Sequence, residues 1–224
     1  MREAPCAHPR PCAIKGPTTG DAMLDARMRK VIDPVLNRIG RGLADAGIGA
    51  NAVTLIGLGF GILAAVMIAM GLFALALIPL AFSRIADGLD GVIARASRKT
   101  DFGGYLDIVC DFIFYGAVPM GFVWADPAGN GAAGAFLLAS FYSNGASFLG
   151  FAILAEKREM KTDARGVKSL YYTGGILEGT ETIAFFVLLC LLPAWFSPMA
   201  WVFGALCFAT AASRMVLAAR VFPD

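Results

Sequence analysis

The sequence predicts an all-α integral membrane protein with six transmembrane helices, preceded by an amphipathic helix at the membrane surface. Composition is the first reason, because 58% of the 224 residues are hydrophobic and 16% are charged, whereas soluble domains average about 45–50% apolar and about 25% charged residues. The second reason is that long apolar stretches alternate with connections that are either basic or free of basic residues. The net charge of +2 provides no strongly basic surface, so we expect no nucleic-acid partner.

The first 46 residues divide into two predicted segments. Residues 1–20 contain Pro, Gly and Cys without an apolar run, which predicts a flexible tail rather than a signal peptide. Across residues 21–46, apolar side chains recur at helical spacing and basic side chains fall largely on other faces. This pattern is typical of a basic amphipathic helix at a bilayer surface, although an ordinary packed helix would share it. The six-helix membrane domain then occupies residues 47–224.

Six apolar stretches follow, and each is long enough to cross a bilayer. A helical span needs about 20 residues for about 30 Å of hydrocarbon, and the predicted spans are residues 51–70, 73–96, 102–124, 131–155, 173–192 and 198–221. The connections near residue 71, at 126–130 and at 193–197 carry no Lys or Arg, whereas the other connections are basic. Because basic loops stay in the cytoplasm, we expect a multi-pass protein of the inner or cytoplasmic membrane with a cytoplasmic N-terminus.

Four aspartates lie where the second and third predicted spans meet the cytoplasm. Asp87 and Asp90 are three residues apart, and Asp107 and Asp111 are four apart, so each pair shares one helix face. Charges so near hydrocarbon are costly and usually functional. Four converging carboxylates would repel unless two divalent ions balanced them. Oxygen ligands favour Mg²⁺, Mn²⁺ or Ca²⁺, and paired ions can hold the attacking and leaving oxygens of a phosphoryl displacement.

Small residues accompany these aspartates in the same two helices. Gly91 follows one aspartate directly, and Gly103 stands near the start of the third span. A glycine within a helix costs about 1 kcal/mol relative to alanine, but it lets a flat ligand approach the backbone. Ala94 would continue this smooth surface, and Arg95 could bind a phosphate through its fork of donors.

The aspartates and small residues together form one spaced pattern. It reads Asp87-x-x-Asp90-Gly91-x-x-Ala94-Arg95, then seven residues, then Gly103-x-x-x-Asp107-x-x-x-Asp111, which fixes eight positions over 25 residues. This pattern resembles the signature of the CDP-alcohol phosphotransferases, also called CDP-alcohol phosphatidyltransferases. The entry helix and six spans are similar to that family too. So is Asn51-x-x-Thr54 at the start of the first span, although Ala50 stands where proline is frequent.

The resemblance implies a reaction and a set of residue roles. Family members transfer a phosphate-linked group from a CDP-alcohol to a second alcohol and release CMP. Two Mg²⁺ or Mn²⁺ ions would be held by Asp87, Asp90, Asp107 and Asp111. Asp107 and Asp111 would be catalytic, with Asp111 the candidate general base for the acceptor hydroxyl. The CDP-alcohol would be bound by Gly91, Ala94, Arg95, Gly103, Asn51 and Thr54. The resemblance also implies a homodimer, and the positive-inside pattern would place its active site at the cytoplasmic side of the lipid bilayer.

The expected function is therefore phospholipid biosynthesis. By family habit the donor would be CDP-diacylglycerol, and a small polar alcohol would accept its phosphatidyl group. The reversed case, with CDP-choline or CDP-ethanolamine as donor and diacylglycerol as acceptor, is an alternative. A cation transporter that uses the aspartates as a relay is an alternative from a different class. The aspartates could also form a structural network with Arg84 and Arg95, or the chain could be an inactive CDP-binding relative.

Residues beyond the signature are candidates for binding the acceptor. Glu178 and Glu181 share a helix face early in the fifth span, where they would either line an acceptor pocket or pack against threonines or Arg214. Arg165 and Lys168 in the preceding basic loop are candidates for contacting an anion, although the positive-inside rule alone explains them. A polar stripe on the fourth span is typical of helix packing, and it consists of Ser140, Ser143, Asn144 and Ser147.

Overall fold

The computed structural model describes residues 36–158 and 179–222 of the chain. All regular secondary structure in these two ranges is helical, so the predicted all-α class is confirmed there. The helices are α1 (residues 36–45), α2 (Ala50–Ala69), α3 (Phe73–Ala96), α4 (Asp101–Ala125), α5 (Pro127–Lys157), α6 (Gly179–Leu191) and α7 (Phe196–Val221), with a 3₁₀ turn at Pro193–Trp195.

Four of the described segments are long and apolar enough to span a membrane. They are Ala50–Ala69, Asp101–Ala125, Pro127–Lys157 and Pro193–Val221. The other two predicted spans differ from these, because α3 carries four charged side chains between residues 84 and 95 and α6 has 13 residues in the described range. The protein is thus a multi-pass membrane protein whose described residues hold four candidate spans, and the count of six stays a prediction.

Two predicted connections are in fact largely helical. Residues 126–130 were expected to form a loop, but α5 begins at Pro127 because the Gly129 N–H donates to Asp126 Oδ1 at 3.0 Å. An aspartate cap followed by proline is a strong helix start, since proline lacks only an N–H that would have no helical partner there. Residues 193–197 likewise contain the 3₁₀ turn and the start of α7 at Phe196.

Glycines allow α2 to pack closely between α3 and α4. A Cβ added to Gly57 would lie 3.0 Å from the Cβ of Ala86 on α3, and one added to Gly121 would lie 2.6 Å from the Ala65 carbonyl oxygen. Helices in membranes associate through such small residues, because lipid provides little hydrophobic drive for helix association. The α2–α3–α4 unit is therefore tightly packed, and it carries all of the signature residues.

The short helix α1 packs against this unit through one face. Leu36 and Leu43 contact a buried cluster that includes Leu89 and Ile93 of α3, while Arg38 and Arg41 are exposed. The described part of the predicted amphipathic segment is thus helical and two-faced. Its position at the bilayer surface stays a prediction, and residues 1–35, with the predicted tail, lie outside the described residues.

Candidate active site

Three of the four predicted aspartates meet at one place. Asp87 on α3 and Asp107 and Asp111 on α4 each offer one carboxylate oxygen, and these oxygens all lie within 4.8 Å of one another. The side chains of Asp87 and Asp111 are half-buried, with exposed fractions of 39% and 32%. The convergence follows from helix geometry, because Asp107 and Asp111 share a face of α4 and their carboxylates approach that of Asp87.

The turn between α3 and α4 fixes how the two acidic faces align. Ser97 ends α3 and its hydroxyl donates to the Ile93 carbonyl at 2.8 Å. Thr100 begins α4, where its Oγ1 accepts the Gly103 N–H at 3.0 Å. A threonine cap satisfies a backbone donor that has no helical partner. Asp101, predicted to be solvated or capping rather than a ligand, is exposed, and the cap itself is Thr100.

Asp90, the fourth aspartate, is buried and is engaged differently. Its Oδ2 accepts a hydrogen bond of 2.6 Å from the Thr54 hydroxyl on α2. Only 6% of Asp90 and 8% of Thr54 is exposed. This short bond satisfies a charged group that would be expensive to bury alone. Thr54, expected to contact the CDP-alcohol, is therefore seen here as a partner of Asp90, and the metal-ligand role of Asp90 stays a prediction.

The other residues expected to bind the nucleotide border the same region. A Cβ added to Gly103 would lie 3.1 Å from Asn51 Oδ1 and 3.0 Å from Thr100 Oγ1, so α2 and the start of α4 approach closely there. A Cβ on Gly91 would lie 3.3 Å from a guanidinium nitrogen of Arg95. Arg95 is exposed and Ala94 is partly exposed. The structure thus brings Asn51 to the signature, and binding of a CDP-alcohol there stays a prediction.

The donor set of the cluster suits a hard divalent cation. All three converging groups are carboxylates, and Mg²⁺, Mn²⁺ and Ca²⁺ prefer oxygen ligands. The group consists of three aspartates, without the thiol or imidazole ligands that would favour zinc. The three carboxylates therefore fit a metal ion, and they also leave negative charge that requires a counter-cation.

Comparison with known proteins decides the assignment. A family model described as CDP-alcohol phosphatidyltransferase matches residues 48–219. The chain belongs to this family. The family is one of enzymes, since its description names a phosphatidyltransferase. The match includes α2 to α6 in full and most of α7, so the family resemblance of the signature is confirmed.

Three named proteins are similar to this chain. Inner membrane protein YnjF of Escherichia coli (strain K12) is 47% identical over 193 residues, which covers 86% of this chain and 94% of that protein. Archaetidylinositol phosphate synthase of Pyrococcus horikoshii is 36% identical over 87 residues, covering 38% of this chain and 46% of that one. A crystal structure of Mycobacterium tuberculosis phosphatidylinositol phosphate synthase with CDP-DAG bound has a TM-score of 0.67 at 23% identity. That alignment covers 83% of this chain and 94% of the mycobacterial chain, and it shows a shared fold.

Arg84 also belongs to this site, although the signature does not contain it. Its Nη1 lies 3.3 Å from Asp111 Oδ1 and 3.7 Å from Asp87 Oδ2. The guanidinium carbon lies 4.0 Å from the centroid of the Phe114 ring. From the sequence, Arg84 was expected only as a partner in a purely structural network. Its position three residues before Asp87 was the signal, because it places Arg84 one turn away on the same helix face.

The residues expected to bind the acceptor are only partly described. Arg165, Lys168 and Glu178 lie outside the described residues. Glu181 lies in the first turn of α6, and a Cβ on the neighbouring Gly179 would lie 3.4 Å from the Tyr115 hydroxyl. The start of α6 thus adjoins α4 one turn beyond Asp111. Both interpretations of Glu181, as an acceptor contact and as a packing residue, stay open as predictions.

Two residues of the polar stripe on α5, Asn144 and Ser147, have the packing role expected of the stripe. Arg214 of α7 is buried, with an exposed fraction of 7%. It donates to Asn144 Oδ1 at 2.9 Å and to Ser147 Oγ at 2.8 Å. These bonds join α5 to α7 and satisfy part of a charge that is costly in the membrane.

Proposed function

We propose that this protein moves a phosphatidyl group from CDP-diacylglycerol to a small polar alcohol, releases CMP, and depends on two Mg²⁺ or Mn²⁺ ions. The observation that carries the proposal is the convergence of Asp87, Asp107 and Asp111 within 4.8 Å. These residues come from a signature that also contains Gly103, the glycine at the contact between α2 and the start of α4. A structural network of acids would not require that glycine at that position.

The choice of donor is supported by the structural neighbour. The mycobacterial synthase of the same fold has CDP-DAG bound, and the described helices of this chain expose many large apolar side chains that suit a lipid environment. A lipid-linked diphosphate would enter such a site from the bilayer. A soluble donor such as CDP-choline, with diacylglycerol as acceptor, is the competing case for the same residues.

The chain's own side chains account for the chemistry of transfer. The acceptor hydroxyl attacks the lipid-linked phosphorus, the bond to the CMP oxygen breaks, and Asp111 takes the hydroxyl proton. Asp87 and Asp107 would hold the divalent ions, with Asp90 oriented by its bond to Thr54. When bound, the ions neutralise the diphosphate and stabilise CMP as leaving group. Arg95 and Asn51 would contact the nucleotide end of the donor.

The proposed membrane arrangement has six spans, a cytoplasmic N-terminus and a cytoplasmic active site. Basic residues at 95–99 follow the acidic half of α3, as the positive-inside rule requires of a cytoplasmic turn. The relative from Escherichia coli is named an inner membrane protein, which supports the same membrane here. We also propose a homodimer, by family resemblance, and an interfacial position for the segment at 21–46.

The test is transfer by the purified protein in lipid nanodiscs. With Mg²⁺, radiolabelled CDP-diacylglycerol and a panel of alcohols, we expect CMP release that depends on one acceptor. A parallel assay supplies CDP-choline or CDP-ethanolamine with diacylglycerol. The Asp107→Ala, Asp111→Ala double variant should lose CMP release, whereas Asp101→Ala, which changes an exposed aspartate on the same helix, should retain it.

Other outcomes would identify the alternatives. CMP release that persists in the double variant would contradict the site. Divalent-ion flux into liposomes, without any rise in melting temperature on adding CDP and Mg²⁺, would favour the transporter instead. A nucleotide that binds the folded state stabilises it by mass action, so a raised melting temperature without CMP release would indicate an inactive CDP-binding relative.

A further inference from the structure

We propose that Arg84 is a fixed positive charge inside the acidic cluster, and that it makes tight binding of divalent ions depend on the diphosphate of the donor. The inference rests on the proposed function, because it concerns the same three carboxylates. It assigns a role to a residue outside the eight-position signature. Arg84 is a positioning residue, because it acts on bound ions only through the carboxylates of Asp87 and Asp111 and through its own charge.

The contacts of Arg84 place its charge between two aspartates. Its Nη1 donates to Asp111 Oδ1 at 3.3 Å and lies 3.7 Å from Asp87 Oδ2. The same two residues belong to the cluster whose oxygens lie within 4.8 Å. The guanidinium would therefore lie close to any divalent ion bound to these oxygens. A second cation so close is repelled, and repulsion is stronger where solvent is scarce.

The protein core anchors this charge, so it cannot simply swing into solvent. The guanidinium lies over the Phe114 ring at 4.0 Å, and Phe114 is fully buried. Arg84 Nη2 also donates to the hydroxyl of Ser83 at 3.2 Å. The side chain of Arg84 is 18% exposed. A cation held over an aromatic face with little solvent is favourable there, and moving it away would lose both contacts.

The fixed charge of Arg84 changes the charge balance of the site. Without Arg84, two divalent ions would balance the four aspartates. With Arg84, the loaded site has one positive charge in excess, which the diphosphate of the donor would neutralise. Arg84 thus stabilises the metal-free cluster, weakens metal binding in the absence of donor, and strengthens the mutual dependence of metal and donor. Such coupling is reciprocal, so nucleotide raises metal affinity as much as metal raises nucleotide affinity.

The experiment measures Mn²⁺ binding rather than turnover. Wild type, Arg84→Gln, Arg84→Met and Arg84→Lys proteins in nanodiscs are titrated with Mn²⁺ by electron paramagnetic resonance, with and without saturating CDP. We expect Arg84→Gln to bind Mn²⁺ at least threefold more tightly without CDP. We also expect at least a threefold reduction of the increase in affinity that CDP produces. Arg84→Lys keeps the charge and should stay within twofold of wild type in both measurements.

A second measurement, the melting temperature, guards against a folding defect. In EDTA, Arg84→Gln should melt at a lower temperature than wild type, because the carboxylates lose their counter-cation, and Mn²⁺ should remove most of that difference. Arg84→Met, which keeps an unbranched apolar side chain beside Phe114, serves if the glutamine variant does not fold. Arg98→Gln removes an exposed arginine just beyond α3 and should change neither measurement.

The outcomes separate this inference from the proposed function. If wild type binds Mn²⁺ more tightly with CDP, but the neutral variants keep wild-type Mn²⁺ affinity or wild-type dependence on CDP, the role of Arg84 is wrong and the proposed function stands. If wild type binds neither Mn²⁺ nor CDP, the proposed function itself is wrong, and the role of Arg84 is wrong with it.

Discussion

The Thr54 hydroxyl on α2 donates to Asp90 Oδ2 on α3 at a distance of 2.6 Å, and both side chains are buried. The bond joins two segments of the signature region that are 36 residues apart in sequence. It gives the buried carboxylate a donor within the protein. The bond also restrains the side chain of Asp90, which lies on the same helix as Asp87.

We expect Thr54→Val to impair the enzyme more than its small change in volume suggests. A buried polar group that loses its partner costs about 1–3 kcal/mol, so CMP release should fall about tenfold or more. Thr54→Ser keeps the hydroxyl and should retain most activity. The measurement is the initial rate of CMP release at several Mg²⁺ concentrations. Equal rates in the valine and serine variants would show that the bond to Asp90 does not matter for catalysis.

Gly103→Ala tests the close approach between α2 and the start of α4. The added Cβ would lie 3.0 Å from Thr100 Oγ1 and 3.1 Å from Asn51 Oδ1, which is tight enough to displace the residues expected to contact the nucleotide. We expect a KM for the CDP-alcohol raised several-fold, with kcat changed less. Gly104→Ala is the matched control, because no described atom lies within 4 Å of its added Cβ. A KM that rises equally in both variants would contradict a nucleotide site at Gly103.

Gly121→Ala tests the packing of α2 against α4 away from the aspartates. Its Cβ would lie 2.6 Å from the Ala65 carbonyl oxygen, and backbone cannot shift as a side chain can. Overpacking of this kind costs about 1–3 kcal/mol, so the melting temperature in detergent should fall. Gly116→Ala, on the same helix with no described atom within 4 Å, should hold or raise it, since alanine is the better helix former. An unchanged melting temperature for Gly121→Ala would mean that the helices separate easily there.

Asp107→Asn tests whether the cluster binds metal. Replacing one carboxylate of the three with an amide removes a negative charge and weakens a hard-cation site. We expect the Mg²⁺ concentration for half-maximal CMP release to rise at least tenfold, and EDTA to abolish activity in wild type. Asp101→Asn makes the same chemical change at an exposed position of the same helix and should leave the Mg²⁺ requirement unaltered. A shift of the same size in both variants would indicate a general effect of charge.

The local sequence pattern was sufficient to predict which helix faces carry the aspartates and where most of the helices lie. The i, i+4 spacing of Asp107 and Asp111 depends on one helix, so it could be predicted from the sequence, and α3 begins and ends where its apolar run predicted. The predicted start of α5 at residue 131 was wrong, because the apolar pattern begins only after the capping residues Asp126 and Pro127. Capping is decided by side-chain hydrogen bonds at the helix end, which hydropathy does not detect.

The sequence alone determined the helical class, the family and the helix faces on which the aspartates lie, since each depends on residue types at short, regular spacings. Contacts between distant segments were decided by the tertiary structure: the bond from Thr54 to Asp90, the approach of Asn51 to Gly103, and the position of Arg84 between Asp87 and Asp111. The physical reason is that spacing fixes which face of a helix a residue occupies. How two helices cross, and therefore which faces meet, depends on packing at glycines such as Gly57 and Gly121.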